Sequence, residues 1–163
     1  MIRDVKHEDM EEIASIYNHY ISNSVATFEE SEISSSEIEE RVLKVKDSGN
    51  HWIVALENHT VFGYAYSTKW NNRAAYSKTV EVSVYLSNSY FKKGVGTKLY
   101  KELFRRLQEN QIHVVIGGIT LPNPASVALH EKFGMEKVAH FSEVGFKFGN
   151  WLDVGYWQVK LNA

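Results

Sequence analysis

Three groups of residues have types and spacing that could carry chemistry. The stretch SYFKKGVGTKLY, Ser89 to Tyr100, sets Gly94 and Gly96 one residue apart, behind Lys92 and Lys93 and ahead of an amphipathic run. Glycines allow unusual φ values and let a ligand approach the backbone closely. The free N–H groups of a helix's first turn, here Val95, Gly96 and Thr97, favour an anion, as does the positive end of the helix dipole. With two lysines beside them they describe a cradle for a phosphate or pyrophosphate. An ordinary glycine-containing turn with solvated lysines accounts for the same residues and stays open on the loop alone. Two other phosphate loops fail. A P-loop needs Gly-Lys-Ser/Thr, and Gly96 is followed by Thr97 and Lys98. A dinucleotide fingerprint needs a third glycine where Leu99 stands.

The second group is Glu81, within TVEVSVYL. Alternation puts it on the face opposite Val80, Val82 and Val84, where it is either a general base or a solvated strand glutamate. The third is NPASVALHEKF. Asn123 and Pro124 read as a helix N-cap and first turn, and His130 titrates near neutrality unless its surroundings shift it. No His-Glu-x-x-His or similar spacing appears, so no metal is expected. The absence of cysteine rules out disulfides, thiolate ligands and a cysteine nucleophile. There is no Gly-x-Ser-x-Gly elbow either.

The elements that must position these groups follow from periodicity. Ile2 to Val5 predicts a first strand, and Asp9 is expected to cap a helix running to about Ile21. Ser34 to Ser36 lead a second helix to about Lys46, stopped by Ser48-Gly49-Asn50. HWIVALENHTVFGYAYS predicts a hairpin turning at Asn58-His59, and Thr79 to Leu86 a further strand. Val95, Leu99, Leu103 and Leu107 predict a helix from Val95 to about Glu109. HVVIGGI follows as a buried strand, then the helix after Asn123, ended by Gly134. Two β segments, about Glu136 to Phe146 and Trp151 to Val159, close the chain. The order β-α-α-β-β-β-α-β-α-β-β gives a mixed α/β fold around one central sheet.

The chain has 163 residues, a size expected of one domain spanning 1–163. The net charge of −2 lacks the basic footprint of a nucleic-acid binder. MIRDVKHEDM has no apolar signal core, and no run approaches a membrane span, so a cytoplasmic protein without a membrane partner is expected.

The glycine loop, TVEVSVYL and NPASVALHEKFGM, in this order, resemble the GNAT superfamily of acetyl-CoA-dependent N-acetyltransferases. The match extends to its phosphinothricin and methionine sulfoximine acetyltransferase branch through VGFKFGNWLDVGYWQ and KWNNRAAYSKTVE. The resemblance implies the GNAT fold, a mostly antiparallel twisted sheet flanked by helices. It also implies acetyl-CoA as co-substrate and a small amine as substrate. Glu81 would be the base, acting directly or through water. His130 would protonate the departing thiolate, or orient the coenzyme, or pack beside Phe133. Val84, Tyr85 and Leu86 would run beside the pantetheine arm. Lys92, Lys93, Gly94, Val95, Gly96 and Thr97 would hold the pyrophosphate, with Asn123 and Ser126 as further coenzyme contacts. Phe91 stands where the family has Gln or Arg, which removes that side-chain contact and leaves the amides. On the substrate side, Phe28 would meet the apolar part and Glu29 would attract the amine. Arg73 would clamp a carboxylate, and Tyr76 would wall the pocket. Asn71 stands where many relatives carry a second basic residue, which weakens the case for a doubly anionic substrate. The aromatic C-terminal block implies a homodimer.

Overall fold

A computed structural model describes residues 1–89 and 94–161. The strands are β1 (Ile2–Asp4), β2 (Trp52–Glu57), β3 (Thr60–Lys69), β4 (Thr79–Leu86), β5 (Val114–Leu121), β6 (Glu136–Lys147) and β7 (Asn150–Lys160). The helices are α1 (Met10–Asn23), α2 (Ser35–Asp47), α3 (Val95–Glu109) and α4 (Pro124–Lys132), with short 3-10 turns at His7–Asp9 and Ala74–Tyr76. The strands form one seven-stranded sheet in the order β1-β2-β3-β4-β5-β7-β6. Only β4 and β5 pair in parallel; the other neighbours are antiparallel.

Local chemistry explains the punctuation. Asn58 and His59 take φ of 50° and 65°, the left-handed pair that suits a two-residue hairpin. Ser34 caps α2 by accepting the Glu37 N–H at 3.2 Å. Asn123 caps α4 by accepting the Ser126 N–H at 3.1 Å, with Pro124 next. Gly134, at φ +78°, ends α4 in a conformation few other residues adopt. Asp9 departs from expectation. It precedes α1 but makes no cap bond to that helix. Its carboxylate instead takes the Arg3 fork at 2.7 and 3.0 Å and the Lys6 N–H at 2.7 Å. Burial opposes its ionisation, yet these donors hold the carboxyl below its ordinary pKa.

Period-two alternation sorts the sheet into two faces, each with its own core. Trp52, Val54 and Tyr64 pack beneath α1 and α2 with Ile13, Tyr17, Ile38 and Val42. Ile53, Ala65, Val80, Val82, Val115 and Ile119 pack against Leu99, Tyr100, Leu103 and Phe104 of α3. Strand β2 is buried on both faces, as its run of apolar residues requires.

The feature that matters for function is where pairing stops. Strands β4 and β5 share three pairs, from Thr79↔Val114 to Glu81↔Ile116. Beyond them β4 stays with β3 as far as Gly63↔Leu86, while β5 follows β7 to Leu121↔Asp153. The sheet therefore opens just past Glu81.

Candidate active site

A cleft of about 310 Å³ occupies that opening. Val82, Val84 and Leu86 of β4 line one side, Gly118 to Thr120 of β5 another, and Asn123, Ser126 and His130 of α4 the end. The orientation of the β4 backbone follows from its hydrogen bonds. Ser87 donates its N–H to Phe62 O at 2.8 Å, so odd-numbered residues of β4 face β3. Even-numbered residues then turn their N–H and C=O toward the opening. At Leu86 the Tyr20 hydroxyl, from α1, meets both groups, donating to the carbonyl at 2.6 Å and lying 3.4 Å from the nitrogen. Val84 presents its main chain between Leu86 and the last ladder pair. The Tyr85 main chain belongs to the β3 ladder opposite Tyr64. Its ring packs edge-on to Tyr17 and Tyr20, both at 5.2 Å, and lines the cleft. Of the three β4 residues expected beside a pantetheine arm, Val84 thus offers main-chain groups, Leu86 holds them against Tyr20, and Tyr85 contributes only its ring.

At one end of the opening begins α3. Gly94 is its N-cap, with φ 87°, and among the described residues no side-chain cap bond is made there. The N–H groups of Val95, Gly96 and Thr97 make up the first turn, the end of a helix that suits an anion. A Cβ on Gly96 would sit 3.2 Å from Leu129, so glycine lets α3 and α4 approach. The Lys132 ammonium reaches Thr97 Oγ1 at 3.4 Å. Lys92 and Lys93 lie outside the described residues.

At the other end stands Glu81, on the α1/α2 face. Among the described residues no hydrogen bond or ion pair reaches its carboxylate. Burial alone pushes its pKa up. Gly118 lies beside it: a Cβ there would crowd the Tyr156 ring at 3.0 Å and stand in ordinary contact, 3.5 Å, with Glu81 Oε1. Trp70 meets Tyr156 edge-on at 5.7 Å and Phe141 meets it at 5.9 Å, giving an aromatic wall beside the carboxylate. The sequence reading missed Tyr156, Trp70 and Gly118. The Gly-Gly pair inside an otherwise β-branched strand was the signal for the last.

His130 lies on the opposite face of the sheet and reaches the cleft through the opening. It is 4% exposed. Its Nδ1 lies 2.7 Å from the Ser126 carbonyl, which can only accept, so Nδ1 carries the proton. Its Nε2 then accepts from the Tyr100 hydroxyl at 3.1 Å. Burial lowers the His130 pKa, with the Ser126 carbonyl opposing, so the ring is neutral at pH 7. Both ring nitrogens are engaged. Gly117 gives the ring its space, since a Cβ there would lie 2.6 Å from it. The Tyr100 hydroxyl has no signature in the sequence.

The substrate-side residues divide. Glu29 is engaged. Arg41 of α2 grips it with two bonds at 2.6 and 2.8 Å, and the Tyr17 hydroxyl donates to it as well. The Arg41 fork pulls its pKa down. This pairing braces the loop between α1 and α2. Phe28 rests its ring against Gly145 of β6. Lys147, 2% exposed, donates to the carbonyls of Ser24 at 2.6 Å and Thr27 at 2.8 Å, tying β6 to the same loop. Arg73 and Tyr76 flank and close the Ala74–Tyr76 turn with exposed side chains, and neither lines the cleft. No cluster of His, Cys, Asp and Glu able to hold a metal occurs among the described residues, and none of their helices is long and apolar enough to cross a membrane.

A sheet that opens after three parallel residue pairs, with a glycine-capped helix start at one end and a carboxylate unpaired among the described residues at the other, suits a long phosphorylated thioester. Residues 2–155 match the family model for the acetyltransferase (GNAT) domain. The chain belongs to the GNAT acetyltransferase family. It is an acetyltransferase, and acetyl-CoA is the co-substrate of that family. It is 35% identical over 163 residues to a phosphinothricin N-acetyltransferase of Alcaligenes faecalis, covering 99% of this chain and 83% of that one. It is 33% identical to an L-methionine sulfoximine/L-methionine sulfone acetyltransferase of Salmonella typhimurium, covering 99% and 94%. The crystal structure of a GNAT superfamily phosphinothricin acetyltransferase from Sinorhizobium meliloti, in complex with acetyl-CoA, superposes with a TM-score of 0.94 at 36% identity, covering 98% and 87%.

Proposed function

We propose that this GNAT enzyme moves the acetyl group of acetyl-CoA to the primary amine of a small amino acid or analogue, of the phosphinothricin or methionine sulfoximine/sulfone type. The observation that carries the reading is Glu81, an unpaired carboxylate with a raised pKa at the end of the β4/β5 opening. Both substrates are bound together, and the amine attacks the thioester directly. Glu81 removes the ammonium proton and passes it to solvent, freeing the nitrogen lone pair. The C–N bond forms and the C–S bond breaks. The second nitrogen proton leaves with the thiolate. The Val84 N–H polarises the acetyl carbonyl, and the first-turn amides of α3 take the pyrophosphate. His130, with both nitrogens engaged, takes the orienting role of those open to it. Arg73 clamps the substrate carboxylate from the rim, and Tyr76 walls it.

The chain acts as a single-domain homodimer. Phe141, Val144, Phe146, Phe148 and Trp151 of the β6–β7 hairpin are each half exposed or more, on the open edge of the sheet, which supports burial against a second copy. A cytoplasmic setting belongs to the same reading, because acetyl-CoA is an intracellular metabolite.

The test is release of CoA thiol from acetyl-CoA with a panel of small amines. Turnover with amino acids or their analogues is expected. Tight CoA binding without turnover of any amine would leave a CoA-binding module instead.

A further inference from the structure

Four strand neighbours surround Glu81 on its own face of the sheet. Thr68 stands across from it on β3 and Ile116 on β5, with Thr79 and Ser83 two residues away along β4. None of the four carries a charge. A buried carboxylate in such company is costly unless a cation joins it.

What stands nearest is aromatic. Tyr156 pairs with Gly118 on β5 and with Ala139 on β6, so no bulky side chain is set beside it across either strand. A Cβ on Gly118 would meet both the Tyr156 ring and Glu81 Oε1, so ring and carboxylate flank one point. Burial, and then the Glu81 charge, push the Tyr156 phenol above its ordinary pKa, so it is neutral at pH 7. Trp70 and Phe141 meet that ring at 77° and 81°, and among the described residues no ring stacks flat on it. Trp70 is 37% exposed and Phe141 50%, so the wall is open to solvent. Large rings left open beside a buried carboxylate suit a binding surface better than a core. The face of such a ring is negative and attracts a cation, tryptophan most strongly.

We propose that Tyr156 and Trp70 are positioning residues for the amine: the substrate ammonium docks against their ring faces and the Glu81 carboxylate together. The site then takes the amine in its charged form and holds it where Glu81 can remove the proton. It favours a cation over a neutral group of the same shape, and it does so without a hydrogen bond from either ring. This inference rests on the transferase reading above and adds the means by which the amine is recognised.

The test compares two ligands of the CoA-loaded protein: the amino acid turned over fastest in the amine panel, and the same acid lacking its amino group. Both dissociation constants are measured by calorimetry in wild type, Tyr156→Phe, Tyr156→Leu and Trp70→Leu, and the amine KM by thiol release. The wild type should prefer the amino acid. That preference should shrink about tenfold in each leucine variant, while Tyr156→Phe, which keeps the ring, should stay within about twofold of wild type. The amine KM should rise by the same factor, with affinity for CoA unchanged. CoA binding reports that each variant is folded, and if Tyr156→Leu fails to bind it, the partly exposed Trp70 decides alone. Equal weakening of both ligands would make the wall structural, and an unchanged preference in the leucine variants would remove it. A loss in Tyr156→Phe as large as in Tyr156→Leu would assign the effect to the hydroxyl and overturn the ring. Each of these results spares the transferase reading as long as the amino acid is acetylated. No acetylation of any amine removes both.

Discussion

At the residue scale, the account depends on environment more than on identity. Arg41 and Tyr17 hold Glu29, whose pKa falls, whereas Glu81 has burial without a partner among the described residues, and its pKa rises. Of the two, the second is the one whose surroundings favour taking up a proton. Replacing Glu81 by Gln should lower kcat/KM by about 10²–10⁴-fold. The wild-type acidic limb, set by protonation of Glu81, should lie above the ordinary carboxylate range and disappear in Glu81→Gln. Stability should move the other way. A carboxyl with its pKa raised by folding binds its proton more tightly in the native state, so stability falls as pH rises through that window. Gln does not ionise and escapes the loss, so thermal unfolding at pH 7 should show Glu81→Gln as stable as wild type or more so. A fall in both activity and Tm would make Glu81 structural.

At the element scale, space is set by glycine and order by paired charge. Gly117 admits the His130 ring, and an Ala methyl there would overlap it. Overpacking of this kind costs about 1–3 kcal/mol. Gly117→Ala should lower Tm accordingly and raise the KM for acetyl-CoA, while Gly134, at positive φ and not among the residues lining the cleft, should affect stability only when changed. Arg41→Ala should loosen the α1–α2 loop. Both partners of its ion pair are about one-third exposed, so the stability loss should be only about 1 kcal/mol. The larger effect should be on the amine KM. These elements were widely legible: β4 and α3 have the predicted bounds, because strict alternation and a four-residue leucine spacing leave little choice. The Asp9 cap was not, because Arg3 competes for the carboxylate from a strand the local pattern does not see.

At the scale of the whole molecule, the fold converts one missing stretch of strand pairing into a passage between two faces. Glu81 is reached from the α1/α2 side and His130 from the α3/α4 side. The residues of each side were legible as motifs. The partnerships Glu29–Arg41, His130–Tyr100 and Gly118–Tyr156 were not, since each joins segments far apart in sequence whose side chains carry no mark of their neighbour. The exposed hairpin belongs to this scale too. Sedimentation should give a dimer for the wild type, and Phe146→Asp with Trp151→Glu should give a folded monomer. A monomeric wild type would remove the dimer. Because Lys147 ties that hairpin to the α1–α2 loop, the monomer should also show a raised amine KM.

The most direct test is a crystal structure of the protein with CoA and a slowly acetylated amine. The account predicts the diphosphate on the first turn of α3, the pantetheine arm along Val84 between β4 and β5, and the amine nitrogen within hydrogen-bond or one-water reach of the Glu81 carboxylate. A coenzyme bound outside that opening, or an amine held on the other side of the sheet from Glu81, would contradict it.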